Sequence, residues 1–264
     1  MAWQKWSGIR RSYLGIIHGV MPDLGSPAAY RRMKTGERAM PVGAVIGANA
    51  ENLMPVLAQS PGPLQLLPGY AYGTGWLKIR SDTGELNKPE VDPYEEIYLN
   101  NSDWWRLCEK DLLLDDTAVA WDNYQDRING TVKKFIEGLN GKYHPNSYGF
   151  YGASEKYPSD DHLIWRQILP PRPVFGLSVE QPFYRYSQGK TFELISSAGP
   201  GDGTVPVRSG RITFSGMRSL LAVEVDHEGA YAVGDLDTES GLSVVMKFTI
   251  RSIIKMVREV TPCG

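Results

Sequence analysis

The chain has 264 residues, 42% of them hydrophobic and 22% charged, enough for one large domain or two small ones around a buried core. Lys and Arg total 28 against 30 Asp and Glu, a net charge of -2, so no global field draws the chain to nucleic acid or an anionic surface. Its two cysteines, Cys108 and Cys263, exclude a disulfide framework and give no metal-type spacing.

The N-terminal stretch "MAWQKWSGIRRSYLGIIHGV" is basic, but Gly15, His18 and Gly19 interrupt its apolar run and no small-residue cleavage pattern follows. No signal peptide is expected, and the chain is expected to be cytoplasmic as synthesised. It is not expected to be transmembrane, since no stretch approaches the roughly 18 apolar residues of a membrane span. His18, His144, His162 and His227 are scattered, so neither a metal site nor a cofactor is expected.

"YLGIIHGVMP" (13–22) predicts a short buried strand that Pro22 stops, followed by the loop "PDLGSP". Val42, Val45, Ile46, Asn49, Leu53, Val56 and Leu57 recur at helical spacing, with Pro55 a kink and "SPGPLQLLPG" a stop. Residues 70–110, rich in Tyr, Trp, Pro and Asp, predict a small strand pair and short helices. Trp121, Tyr124, Ile128, Val132, Phe135, Ile136 and Leu139 share one helical face. "HPNSYGFYGASEKYPSDDH" predicts irregular structure, with the carboxylates of "SDDH" (159–162) in a solvated loop or at a helix start.

"PVFGLSVEQ" and "KTFELISSAGPGDGTVP" predict strands, the second running into a turn. In "RSLLAVEVDHEGAY", Leu221, Val223 and Val225 alternate on one face of another strand. The last segment, "GLSVVMKFTIRSIIKMVREV", predicts an amphipathic helix. Its apolar stripe is Leu242, Val245, Met246, Ile250, Ile253 and Val257, and its basic side is Lys247, Arg251, Lys255 and Arg258. Strands at both ends of the chain, 14–20, 191–198 and 219–225, predict an α/β sheet with a long helical insertion between them.

"GPGDGTVP" (199–206) holds one carboxylate, Asp202, in a turn fixed by glycine and proline. As a lone motif this is ordinary turn chemistry. Its expected partner is His227, which also falls just past a strand, because catalytic groups gather at the carboxyl ends of strands in open α/β sheets. A carboxylate on one imidazole nitrogen fixes the tautomer and leaves the other nitrogen to act as a general base.

"GDGTVP" followed by "DHEGAY" resembles the acid and histidine loops of lipase-type α/β-hydrolases. With "IIHGVMPDLGSPAAYRRM", "SPGPLQLLP", "DPYEEIY" and "HPNSYGFYG" it resembles the lecithin:cholesterol-acyltransferase-like and GPI-inositol-deacylase-like branch, including bacterial phospholipase effectors delivered by type VI secretion. The resemblance implies a catalytic Asp202 and His227. It also implies the C-terminal part of an α/β-hydrolase sheet with a large, mostly helical cap between strand six and strand seven. The expected division is a core of 1–24 and 166–264 and a cap of 25–165.

The serine elbow G-x-S-x-G of that family is absent, and no nucleophile is identified. "GLSVE" places Glu180 where the second glycine belongs, "YSQGK" lacks the first glycine, and Ser7 has no preceding strand, which makes Ser178, Ser187 and Ser7 the serines to test. The resemblance implies a lipid or ester substrate, an upstream segment that completes the fold, and a secretion-system component as partners, with export by that system. Two functions remain open: an ester hydrolase with a Ser-His-Asp triad, or a non-catalytic relative that binds lipid or a partner protein.

Overall fold

A computed structural model describes residues 13–36, 49–113, 117–139, 141–169, 184–187, 189–212, 214–231 and 241–260. In chain order the main elements begin with strand β1 (Ile16–Gly19), helices α1 (Pro27–Thr35) and α2 (Ala50–Gln59), and strands β2 (Leu77–Ser81) and β3 (Gly84–Lys88). Helix α3 (Thr117–Arg127) passes through a π-helical stretch (Ile128–Lys133) into α4 (Lys134–Leu139). Strands β4 (Ser147–Gly152), β5 (Ser154–Ile168), β6 (Tyr184–Ser187), β7 (Lys190–Gly201) and β8 (Met217–Val223) follow, and helix α5 (Val244–Val260) comes last. The chain divides into two compact units, Met1–Asp23 with Glu137–Ser159 and Gly199–Gly264, and Leu24–Ile136 with Asp160–Ala198.

The first unit holds a three-stranded sheet in the order β1-β4-β8, with both pairings parallel. Phe150 of β4 lies opposite Gly19 on one side and Leu221 on the other. Val20, Phe150, Val223, Ala230 and Val245 form the core of this unit, with Leu221, Val225 and Phe248 packed against them. The central strand was not expected, because "SYGFYG" carries two glycines and reads as a loop. Those glycines mark places where side chains press against the strand. A Cβ at Gly149 would lie 2.9 Å from Met217 Cε and 3.1 Å from Leu220 Cδ1.

The sheet expected from 14–20, 191–198 and 219–225 is thus corrected at its second member. Residues 191–198 lie in β7, which belongs to the other sheet, and β4 stands between β1 and β8. The chain returns to the first unit at Glu137, because β4 is that sheet's central strand, and leaves it after Ser159.

The second unit contains, beside its helices, the five-stranded sheet β3-β2-β5-β7-β6. β2 runs antiparallel to β3 and parallel to β5, and β6 pairs antiparallel with β7. "EKYPSDDHLIWRQI" conceals its strand behind Pro158 and two aspartates, yet Leu163 and Trp165 are fully buried. The strand expected in "PVFGLSVEQ" and the helical spacing at Val42, Val45 and Ile46 lie outside the described residues.

Aromatic side chains dominate the second core, with Tyr30, Trp76, Tyr94, Tyr98, Tyr124 and Trp165 all fully buried. Helix α1 starts where Ser26, in an extended conformation, accepts the Ala28 N–H at 3.3 Å and Pro27 supplies the first helical φ. Its Lys34 is buried and donates to the carbonyls of Trp104 and Arg106 and to the Glu109 carboxylate, which Arg106 also meets at 2.6 Å. Cys108 sits beside this network, and burial pushes its thiol up to about 12.

Glu96 fastens the loop before the 94–98 π-helix. Its two oxygens accept the N–H groups of Glu90, Val91 and Asp92 at 2.9, 2.7 and 2.9 Å, and Lys88 donates at 3.2 Å. Burial works against the charged form here, but those donors outweigh it and hold the carboxyl at about 2. An unfolded Glu titrates near about 4.3. The contribution to stability is therefore complete above that value and is lost as pH falls through about 2. The stability difference between wild type and Glu96→Gln, read from urea midpoints, is expected to be largest near neutral pH and to shrink below pH ~4.

Candidate active site

The turn after β7 is closed by an antiparallel bridge between Gly201 and Pro206, and Gly203 takes φ 90°, a conformation that favours glycine. This geometry turns Asp202 inward, leaving its side chain 1% exposed. Its Oδ1 accepts the N–H groups of Thr204 and Val205 at 2.9 and 2.6 Å, and its Oδ2 lies 3.0 Å from His227 Nδ1. The backbones are joined as well, since His227 N–H donates to the Asp202 carbonyl at 2.8 Å.

His227 arrives from the end of β8. Beyond it Asp226 accepts the Gly229 N–H at 2.6 Å, which folds the segment into a compact turn, and Ala230 anchors that turn in the core. The His227 side chain keeps 34% of its surface exposed. A buried carboxylate on one nitrogen and solvent on part of the ring are what proton transfer by an imidazole requires.

Two groups that the sequence did not single out support the acid. Ser159 is buried on β5, and its Oγ accepts from the Asp202 N–H at 3.2 Å and the Gly203 N–H at 3.0 Å. Gly152, the last residue of β4, lies against the acid: a Cβ there would stand 2.5 Å from Asp202 Cβ and 3.0 Å from its Cα. Asp202 follows β7 in sequence but abuts the carboxyl end of β4 in space.

The reading of "SDDH" as solvated is corrected by the same region. Ser159 and Asp160 are buried within β5, and Arg31 Nε meets Asp160 Oδ2 at 2.7 Å. Ser7 and Ser178 lie outside the described residues. Ser187 ends β6 in the second unit, paired with Lys190. Another Gly-x-Ser, in "GASEK", puts Ser154 directly after β4, where its hydroxyl donates to Glu224 at 3.2 Å. No pattern in the sequence connects Ser159 or Gly152 to the acid, because both contacts depend on where the strands return.

His18, near the end of β1, faces Tyr143 edge-on at 5.9 Å between ring centres. Burial lowers its pKa, and the nearby Asp23 opposes that shift. Burial raises the Asp23 pKa, while its hydrogen bond from Tyr143 and the charge of His18 act the other way.

A parallel sheet, with an acid held against the carboxyl end of one strand and a histidine following the next, defines a mixed α/β fold of the α/β-hydrolase-like class. A chain of the solved Tle4–Tli4 complex is similar to this one, with a TM-score of 0.74 and 25% identity over 95% of the present chain. The present chain spans 56% of that chain's length. No protein-family model and no curated protein matches the sequence.

With Asp202 as acceptor, the neutral His227 ring carries its proton on Nδ1. Asp202→Asn can present an amide N–H to that nitrogen and is expected to move the proton to Nε2, read from imidazole nitrogen chemical shifts by NMR. Gly152→Ala forces the acid out of place. A loss of about 2 kcal/mol in urea unfolding is expected, together with loss of the paired His227 signal.

Proposed function

We propose that this chain carries the acid and the base of a lipase-like ester hydrolase, Asp202 and His227, and that a serine outside the described site supplies the nucleophile. The observation that carries the reading is the 3.0 Å contact between a buried carboxylate and a half-buried imidazole past the end of a parallel strand. Its support from outside is the likeness to a chain of the solved Tle4–Tli4 complex.

In this mechanism His227 takes the serine proton through Nε2 as the serine oxygen bonds to the ester carbonyl carbon. The imidazolium then gives that proton to the departing alcohol as the acyl–oxygen bond breaks. Water, activated by the same nitrogen, releases the acid and restores the serine. Asp202 remains ionised throughout, orients the ring and stabilises its positive form. The substrate class is a lipid ester, and a segment upstream in the whole protein completes the sheet and brings the elbow. Export by a secretion system belongs to the same reading.

A second reading is favoured by one observation, the absence of G-x-S-x-G from the sequence. In it the fold is retained for binding lipid or a partner protein, as the similar chain belongs to the Tle4–Tli4 complex. Hydrolysis of short-chain and phospholipid esters separates the two. The chain alone is expected to turn over no faster than its His227→Ala variant. Joined to a segment carrying the elbow, it is expected to gain several powers of ten, a gain that Asp202→Ala or His227→Ala abolishes. A His227-dependent esterase in the chain alone would place the nucleophile within it, with Ser178, Ser187 and Ser7 the first to replace. Absence of His227-dependent turnover in both forms would leave the binding reading.

A further inference from the structure

Helix α5 was expected to bury the stripe Leu242, Val245, Met246, Ile250, Ile253 and Val257. The structure turns it to a different face. Val245, Ser252 and Met256 are the buried positions, and Phe248 packs on the core beside Val245. Ile250, Ile253, Ile254 and Val257 remain 45, 48, 45 and 47% exposed. At 100° per residue these four, with the half-buried Met246, occupy one continuous sector next to the buried one. Lys247, Arg251, Lys255 and Arg258 fill the sector beyond, and residues 244–258 contain no acid.

Exposed aliphatics bordered along the helix by a row of cations call for a cover that is apolar in depth and anionic at its rim. We propose that this face of α5 docks on an anionic lipid–water interface, with the aliphatic sector in the acyl boundary and the basic row against headgroup phosphates. The charge row decides the occupant. A covering protein segment would have to supply matched carboxylates along three helical turns, whereas an anionic bilayer offers both layers at once. The net charge of -2 for the whole chain makes the local row a directional feature rather than a general attraction. The inference does not use the Asp202–His227 pair, and binding is read without turnover.

Co-sedimentation with vesicles of phosphatidylcholine, with and without phosphatidylglycerol, tests it. The full chain is expected to pellet with the anionic vesicles and to be released by salt. Each cation near such a surface strengthens partition about fivefold. Arg251→Gln/Lys255→Gln/Arg258→Gln is therefore expected to weaken it about 100-fold, and Ile250→Ser/Ile254→Ser at least ~10-fold. These side chains are half-exposed, and circular dichroism checks that both variants fold. An independent readout is Ile254→Trp, whose emission is expected to shift to the blue with anionic vesicles only. Failure of the wild type to pellet overturns the proposal. So does binding that survives the isoleucine changes, or emission that does not move. Self-association that those changes abolish, without vesicle binding, would make the face an interface between copies.

Discussion

A carboxylate taken out of water is tolerable only if its oxygens are engaged, since the desolvation cost in a protein is several kcal/mol per ion. Asp202 meets that demand with two backbone N–H groups on one oxygen and His227 on the other. Much of the first unit follows from it. Two residues on the donor side, Thr204 and Val205, must turn back over the acid, and Gly203 at φ 90° makes the reversal possible. The strand end beneath must have no side chain, and Gly152 provides that. Ser159 then satisfies the N–H groups of the turn that the acid itself does not.

The route of the chain to this arrangement is indirect. β4 ends at Gly152, and the chain next builds β5, β6 and β7 before Asp202 comes to rest against that same glycine. The acid therefore belongs structurally to β4, although about 50 residues separate them in sequence. Long insertions of this kind cost little once folded, because closure entropy grows only with the logarithm of loop length. A hydrogen-bonded pair can thus sit between two strand ends while the intervening chain forms a separate core.

The sequence disclosed the acid and the histidine because their local chemistry is distinctive: a glycine-locked carboxylate and an imidazole, each directly after an apolar strand. The strand bearing "AVEV" and the position of the last helix were also readable, from period-2 and period-3.6 patterns. β4 was hidden because the close contacts that make it central require glycines, and those glycines look like loop residues. β5 was hidden because Ser159 and Asp160 are polar on account of tertiary partners rather than solvent. The face of α5 was misread for a different reason. Its apolar residues cover well over half the helix circumference, so periodicity locates the helix but leaves open which part of the wide stripe meets the core.

Cys108 has a bearing on how the second unit could be watched. Its thiol is fully buried and held at about 12, so the thiolate that reacts with alkylating reagents is scarce in the native state. Reaction at this sulfur must await an opening of the surrounding core, where Leu107, Met54 and Tyr124 belong to the same cluster. Once Cys263 is replaced, the labelling rate at Cys108 becomes a clock for excursions of that core. Under fast reclosing it reads their free energy, and under slow reclosing it reads their frequency. A residue with no part in the chemistry thereby supplies a native reporter of when one half of the chain comes apart.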